Sequence, residues 1–158
     1  VEVVRDLDRI FEESDYVSLH CPNTSITRNM VNKERLAQMK ESAFLINTAR
    51  GAVVVEEDLY EACKNGVIRG AGLDAIRKEP VDPANPLLTL DNVIIYPHIG
   101  GNTVEAAHRA SYFAAMGVNE VAEGKEPTWP INDVDYETAT TYDDVIVPDK
   151  KKAGMFDF

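Results

Sequence analysis

Four short apolar runs, separated by segments of helical spacing, constrain this chain more than any other feature. The runs are YVSLH (16–20), AFLIN (43–47), IRGAGL (68–73) and VIIY (93–96). Between them, DLDRIFEES (6–14) puts Leu7, Ile10 and Phe11 on one helical face, Lys33 to Met39 forms a turn or two, and Glu56 to Asn65 reads as a helix. Gly66 then suits the left-handed position just past a helix end. After the fourth run, Asn102 can cap a last helix, with Glu105 three residues on as in a capping box. Val104, Ala107, Ala110, Ala114, Val118 and Val121 follow at helical spacing as far as Gly124. Strand–helix alternation implies an α/β fold: about four parallel strands, right-handed crossovers and helices on both faces. AFLIN is almost wholly apolar, as expected of a strand covered on both sides. There are no internal repeats.

Composition narrows the classes of partner. With 158 residues, 44% hydrophobic and 27% charged, the chain matches an ordinary globular domain with room for a core. A net charge of −11 argues against nucleic acid or an anionic membrane as partner. No apolar stretch approaches the roughly 20 residues that span a bilayer, and no signal-peptide pattern stands at the start. Cys21 and Cys63 form no C-x-x-C, which points to a reducing, cytoplasmic setting. From Asp133 the sequence turns acidic and threonine-rich, then runs through Lys150-Lys151-Lys152. Residues 133–158 therefore read as an acidic C-terminal tail, and residues 1–132 as the domain.

The chemistry collects at the strand ends. The first run leads into Cys21-Pro22, the second into Thr48-Ala49-Arg50-Gly51, the third into Asp74, and the fourth into Pro97-His98-Ile99-Gly100-Gly101. In a parallel sheet these ends share one edge, where open α/β sheets bind ligands. An arginine, an aspartate and a histidine thus converge although the sequence scatters them. A core histidine would sit inside the apolar run, whereas His98 stands where the strand ends, with two glycines close behind. Each residue also has a plainer reading. Arg50 can be a surface charge, Glu79 one solvated group in the polar loop RKEPVDP, Asp74 a turn cap, and Cys21 a small buried residue beside a turn proline. His20 and His108 read as structural or solvent-facing, and no His/Cys spacing suggests a metal site. Gly70-Ala71-Gly72-Leu73-Asp74-Ala75 formally matches G-x-G-x-x-G/A, but its glycines lie within a strand. Pro80, Pro83 and Pro86 deny the helix that a phosphate-binding turn must open.

Three stretches, NTARGAVVVEEDLYEAC, GAGLDAIRKEP and NVIIYPHIGGNTVEA, resemble the NAD-binding domain of the D-isomer-specific 2-hydroxyacid dehydrogenases, a group that includes D-3-phosphoglycerate dehydrogenase. The resemblance runs from about Val1 to Asn132, with motifs in the family's order and spacing. It implies the second half of a Rossmann-like doubly wound sheet and hydride transfer between NAD (or NADP) and a small 2-hydroxy or 2-oxo acid. It also implies a homodimer for the complete enzyme. Carried onto this sequence, it makes His98 the acid/base, Glu79 the partner that orients it, and Arg50 the group that holds the substrate carboxylate. Asp74 would face the nicotinamide carboxamide, Cys21 and Pro22 the adenosine end, Thr48 and Ala49 the nicotinamide ribose, with Gly100 and Gly101 leaving room for the ring.

The family's phosphate loop, and the acidic residue about 20 positions after it that selects NAD, have no counterpart in this sequence. The resemblance places both upstream of Val1, with the first strands and most of the substrate domain. The chain is thus expected to correspond to the C-terminal half of such an enzyme and to be inactive alone. Two other readings use the same residues. Corepressors of the C-terminal-binding-protein type share the fold and an NTARG-like stretch, although PHIGGNT resembles the metabolic enzymes more. The third reading is a nonfunctional gene remnant.

Overall fold

The structure, a computed structural model, describes residues 2–129. The expected tail at 133–158, and the domain limit at 132, lie outside them. In chain order the elements are α1 (Leu7–Glu13), β1 (Tyr16–Leu19), α2 (Lys33–Gln38), β2 (Phe44–Asn47), α3 (Glu56–Lys64), β3 (Gly70–Leu73), β4 (Val93–Ile95) and α4 (Val104–Ala122). Short 3₁₀ turns at Gly51–Val53 and Pro86–Thr89 were not legible in the sequence. The strands form one parallel sheet in the order β1-β2-β3-β4, an α/β, Rossmann-like arrangement. Each expected strand is present, trimmed by one or two residues.

Local chemistry sets the helix ends. The Asp6 carboxylate accepts from Asp8 N at 3.0 Å to open α1, and Asn32 Oδ1 accepts from Arg35 N at 3.1 Å to open α2. Gly66 takes φ +70° just beyond α3, as anticipated. The cap of α4 is Thr103 and not Asn102: Thr103 Oγ1 accepts from Ala106 N at 3.0 Å. Asn102 is instead drawn into the preceding turn, its N–H donating to Ile99 O at 2.9 Å. Glu105 then stands one position too early to complete a capping box.

Register divides the sheet into two unlike faces. Val17, Leu45, Ala71 and Val93 align in one row, and Leu19, Asn47, Leu73 and Ile95 in another on the same face. Against this face pack Phe11, Leu36, Leu59, Ala62 and Cys63 from α1, α2 and α3. Fully burying one such Leu or Phe contributes about 1.5–3 kcal/mol. The opposite face carries Tyr16, Phe44, Ile46 and Ile94; Tyr16 is 67% exposed and Ile94 61%. The Tyr16 and Phe44 rings stack there at 5.7 Å.

Two expectations are corrected here. Among the described residues the packed helices α1–α3 cover one face, not both, and β2 alternates between buried and half-buried positions. The strand order explains it. When strands advance in one direction and crossovers are right-handed, every connecting helix falls on the same side. Nor does α4 supply a second layer: it has no buried side chain, and Val104, Val118 and Val121 are exposed.

Candidate active site

The end of β2 shapes the first half of the site. Asn47 is 1% exposed in a row whose other members are apolar. Its Nδ2 donates to Arg50 O at 3.1 Å and to Ala75 O at 3.2 Å, while Oδ1 accepts from Ala49 N at 3.0 Å. The backbone carbonyl of Asn47 accepts from Asp74 N at 2.9 Å. These bonds turn the chain so that Thr48 and Arg50 emerge at the sheet edge, and Arg50 Nη1 donates to Ala49 O at 2.7 Å. Gly51 then passes so close to the next loop that a Cβ would stand 1.9 Å from the carbonyl carbon of Ile76. Only glycine permits this approach.

The ends of β3 and β4 build the second half. Asp74 Oδ1 accepts from Ile99 N and Oδ2 from Gly100 N, both at 2.9 Å. This clamp explains Gly100, where a Cβ would lie 2.8 Å from Asp74 Oδ2, whereas one on Gly101 would meet nothing within 4 Å. His98 sits in the turn between strand and clamp at φ +56°, a left-handed conformation uncommon outside glycine, though histidine adopts it more readily than most side chains. Its Nδ1 lies 2.8 Å from Glu79 Oε2, and Glu79 Oε1 accepts from Ile76 N at 3.1 Å. The hydrogen bond to His98 is the main reason the Glu79 carboxyl titrates below its usual range. The Ile76 N–H helps, and partial burial opposes. Behind the pair is a small, mostly apolar cavity of about 200 Å³, walled by Ile76, Val81, Leu88 and Ile95.

The two halves face one cleft, lined by Thr48, Arg50, Asp74, His98, Gly101 and Asn102. A second cleft shares Thr48 and Arg50 and runs past Ala49 to Cys21 and Pro22 at the end of β1. Every residue to which the resemblance gives a role therefore lies in one of these clefts or bonds to a residue that does. Cys21 is half-buried, and burial pushes its thiol up. His20 is less idle than its sequence suggests: its ring joins Ser18 Oγ at 2.8 Å to Thr48 Oγ1 at 3.3 Å. Asn47 and Gly51 escape the sequence reading. The available signal is one polar residue ending an apolar run, three residues before an arginine. Gly70 and Gly72 lie inside β3, and Gly70 lets Asn92 O approach, so their fingerprint-like spacing serves strand packing. Among the described residues no group of three or more His, Cys, Asp or Glu could hold a metal ion. No helix there is long and apolar enough to cross a membrane.

A parallel sheet with an arginine, an aspartate and a carboxylate-paired histidine gathered at its C-terminal edge is the arrangement in which open α/β domains bind ligands. Residues 1–100 match the family model described as D-isomer specific 2-hydroxyacid dehydrogenase, NAD binding domain. The chain belongs to that family. It is 46% identical over 127 residues to the glyoxylate reductase of Thermofilum pendens, spanning 80% of this chain and 38% of the relative. It is also similar to the crystal structure of the TT0316 protein from Thermus thermophilus (TM-score 0.73, 44% identity, 79% of this chain and 40% of that one). A third likeness is to D-lactate dehydrogenase with NAD+ from Lactobacillus jensenii (TM-score 0.73, 31% identity, 80% and 42%). The chain thus spans about two fifths of the length of these proteins.

Proposed function

We propose that this chain carries the nicotinamide side of an active site that transfers hydride between NAD and a small D-2-hydroxy acid. The observation that carries the reading is the 2.8 Å contact between His98 Nδ1 and Glu79 Oε2, with His98 lining a cleft that also holds Arg50. With Nδ1 engaged, Nε2 is the ring nitrogen left to exchange a proton with substrate. In oxidation the hydroxyl proton moves to Nε2 as the C2–H bond breaks; in reduction the imidazolium returns that proton to the carbonyl oxygen. Arg50 holds the carboxylate by its planar fork, fixing C2 beside His98. Glu79 orients the ring and stabilises its charged form through a charge-assisted bond.

NAD, the family's cofactor, supplies the hydride acceptor when bound. The residues that fit its nicotinamide end are Thr48, Ala49, Asp74, Gly100 and Gly101, because Asp74 lines the cleft and each of its oxygens keeps a lone pair beyond the backbone clamp. Cys21 and Pro22 suit the adenosine side. No G-x-G-x-x-G turn in this sequence would hold the pyrophosphate, and nothing in it chooses between NAD and NADP. A homodimer and a cytoplasmic setting belong to the same reading, supported by the exposed apolar side chains of α4 and the two free thiols.

The test joins this chain to the remainder of a family relative that carries the phosphate loop. NADH oxidation is then followed by absorbance with glyoxylate, pyruvate and hydroxypyruvate. Turnover that depends on His98 is the expected result; turnover left intact by His98→Asn would overturn the mechanism.

A further inference from the structure

We infer that Asn47, a residue with no assigned part in the chemistry, is the positioning residue that sets Arg50 against the Asp74 and His98 side of the cleft. The inference rests on the reading of Arg50 as the carboxylate-binding group. One buried amide bonds to both strand-end loops: Ala49 N and Arg50 O on one side, Ala75 O on the other. Its orientation is determined, because Nδ2 faces two carbonyl oxygens and Oδ1 faces an N–H. A polar group so buried is retained only with its bonds made, and here those bonds run to the residues flanking Thr48, Arg50 and Asp74. The close passage of Gly51 over Ile76 presses the same two loops together from outside. Asn47 thus acts as a spacer of fixed length between the arginine and the aspartate clamp that holds the His98 turn.

Two substitutions separate this from a general packing role. Asn47→Asp keeps the shape but replaces the two N–H donors facing carbonyls with oxygen; Asn47→Leu removes all three bonds and keeps the branching at Cγ, with a larger volume. Ile68→Val, in the core and away from both loops, provides the baseline for mild destabilisation. The measurements, on the 158-residue chain, are hydrogen exchange at Ala49, Asp74 and Ala75, and the Arg50 Nε–H NMR signal during titration with glyoxylate. Asn47→Leu should speed Ala49 exchange, and both Asn47 variants should speed Ala75 exchange and raise the glyoxylate midpoint by roughly tenfold or more, the equivalent of about one lost hydrogen bond. Ile68→Val should leave the Arg50 signal and its midpoint as in the native chain. Native-like exchange and midpoint in the Asn47 variants would overturn the inference, as would an equal response in Ile68→Val. If Arg50 fails to respond to glyoxylate even in the native chain, its carboxylate role falls. Ala49 and Ala75 exchange then still decides whether Asn47 ties the loops.

Discussion

Glu79 Oε2 lies 2.8 Å from His98 Nδ1, across 19 residues of chain. The contact exists because the loop after β3 and the turn after β4 leave neighbouring strands at the same edge. In a fusion that supplies the phosphate loop, His98→Asn should lower turnover by about 10² to 10⁴-fold, the usual contribution of one acid/base group. Glu79→Gln should cost less, since the ring remains, an amide oxygen can still accept from Nδ1, and mainly the stabilising charge is lost. Steady-state rates for the two variants, measured beside the parent, check this order.

The same pair makes an acid-sensitive contribution to stability. The Glu79 carboxyl, lowered from an ordinary value of 4.5 chiefly by its bond to His98, favours the folded state when ionised. Its contribution is therefore present above pH 4.5 and disappears as pH falls through the depressed value in the folded chain. The difference in thermal midpoint between the parent and Glu79→Gln should be present at about pH 5 and shrink below about 4.5. A difference that grows below that pH would contradict this sign. The effect should be modest, because both side chains are partly solvated.

Glycines in the site should differ sharply in tolerance. Gly51→Ala drives a methyl into the Ile76 backbone and should destabilise by about 1–3 kcal/mol or more, as overpacking does. Gly100→Ala presses on the Asp74 carboxylate and should break the clamp on Ile99 and Gly100. Gly101→Ala, with open space around it, should unfold at the parent temperature. If Gly101 leaves room for a nicotinamide ring, that variant should still weaken NADH binding. Denaturant curves and calorimetry read the two effects separately.

The 158-residue chain on its own should bind NADH weakly. Its clefts present nicotinamide-side groups, while the sequence offers no glycine turn to hold the pyrophosphate. Several charge-assisted hydrogen bonds of roughly 1.5–3 kcal/mol each are then missing. Calorimetry with NADH should find millimolar affinity or weaker; micromolar binding would show that other residues hold the phosphates.

Tyr16, Phe44, Ile46 and Ile94 on the open sheet face, beside the edge of β1 that no described strand pairs, should make the isolated chain self-associate. Sedimentation should show weight-average mass rising with concentration. Tyr16→Lys with Ile94→Lys should suppress that rise at only a small cost in the unfolding midpoint, because both side chains are largely exposed and Tyr16 loses chiefly its stacking on Phe44.

Much of this architecture is written in local sequence. Period-2 and period-3.6 spacing, Gly66 past α3 and the residue types closing each strand depend on interactions within a few positions, so the strands, the helices and the candidacy of Arg50, Asp74 and His98 can be read directly. The cap of α4 reads one position early because Asn102 and Thr103 are both good caps. Only the fold of the preceding turn, where Asn102 N–H reaches Ile99 O, chooses between them.

What the sequence determined by itself was which side chains arrive at the sheet edge, since strand polarity alone sends every strand end the same way. What tertiary structure decided was how they are held. The amide of Asn47 bridges to Ala75, 28 residues away; Asp74 clamps a turn 25 and 26 residues on; Gly51 admits the backbone of Ile76. None of these pairings has a periodicity to betray it, because each depends on the register of neighbouring strands. The single helical layer has the same origin, since the choice of covered face follows from strand order and crossover hand, which no single segment encodes.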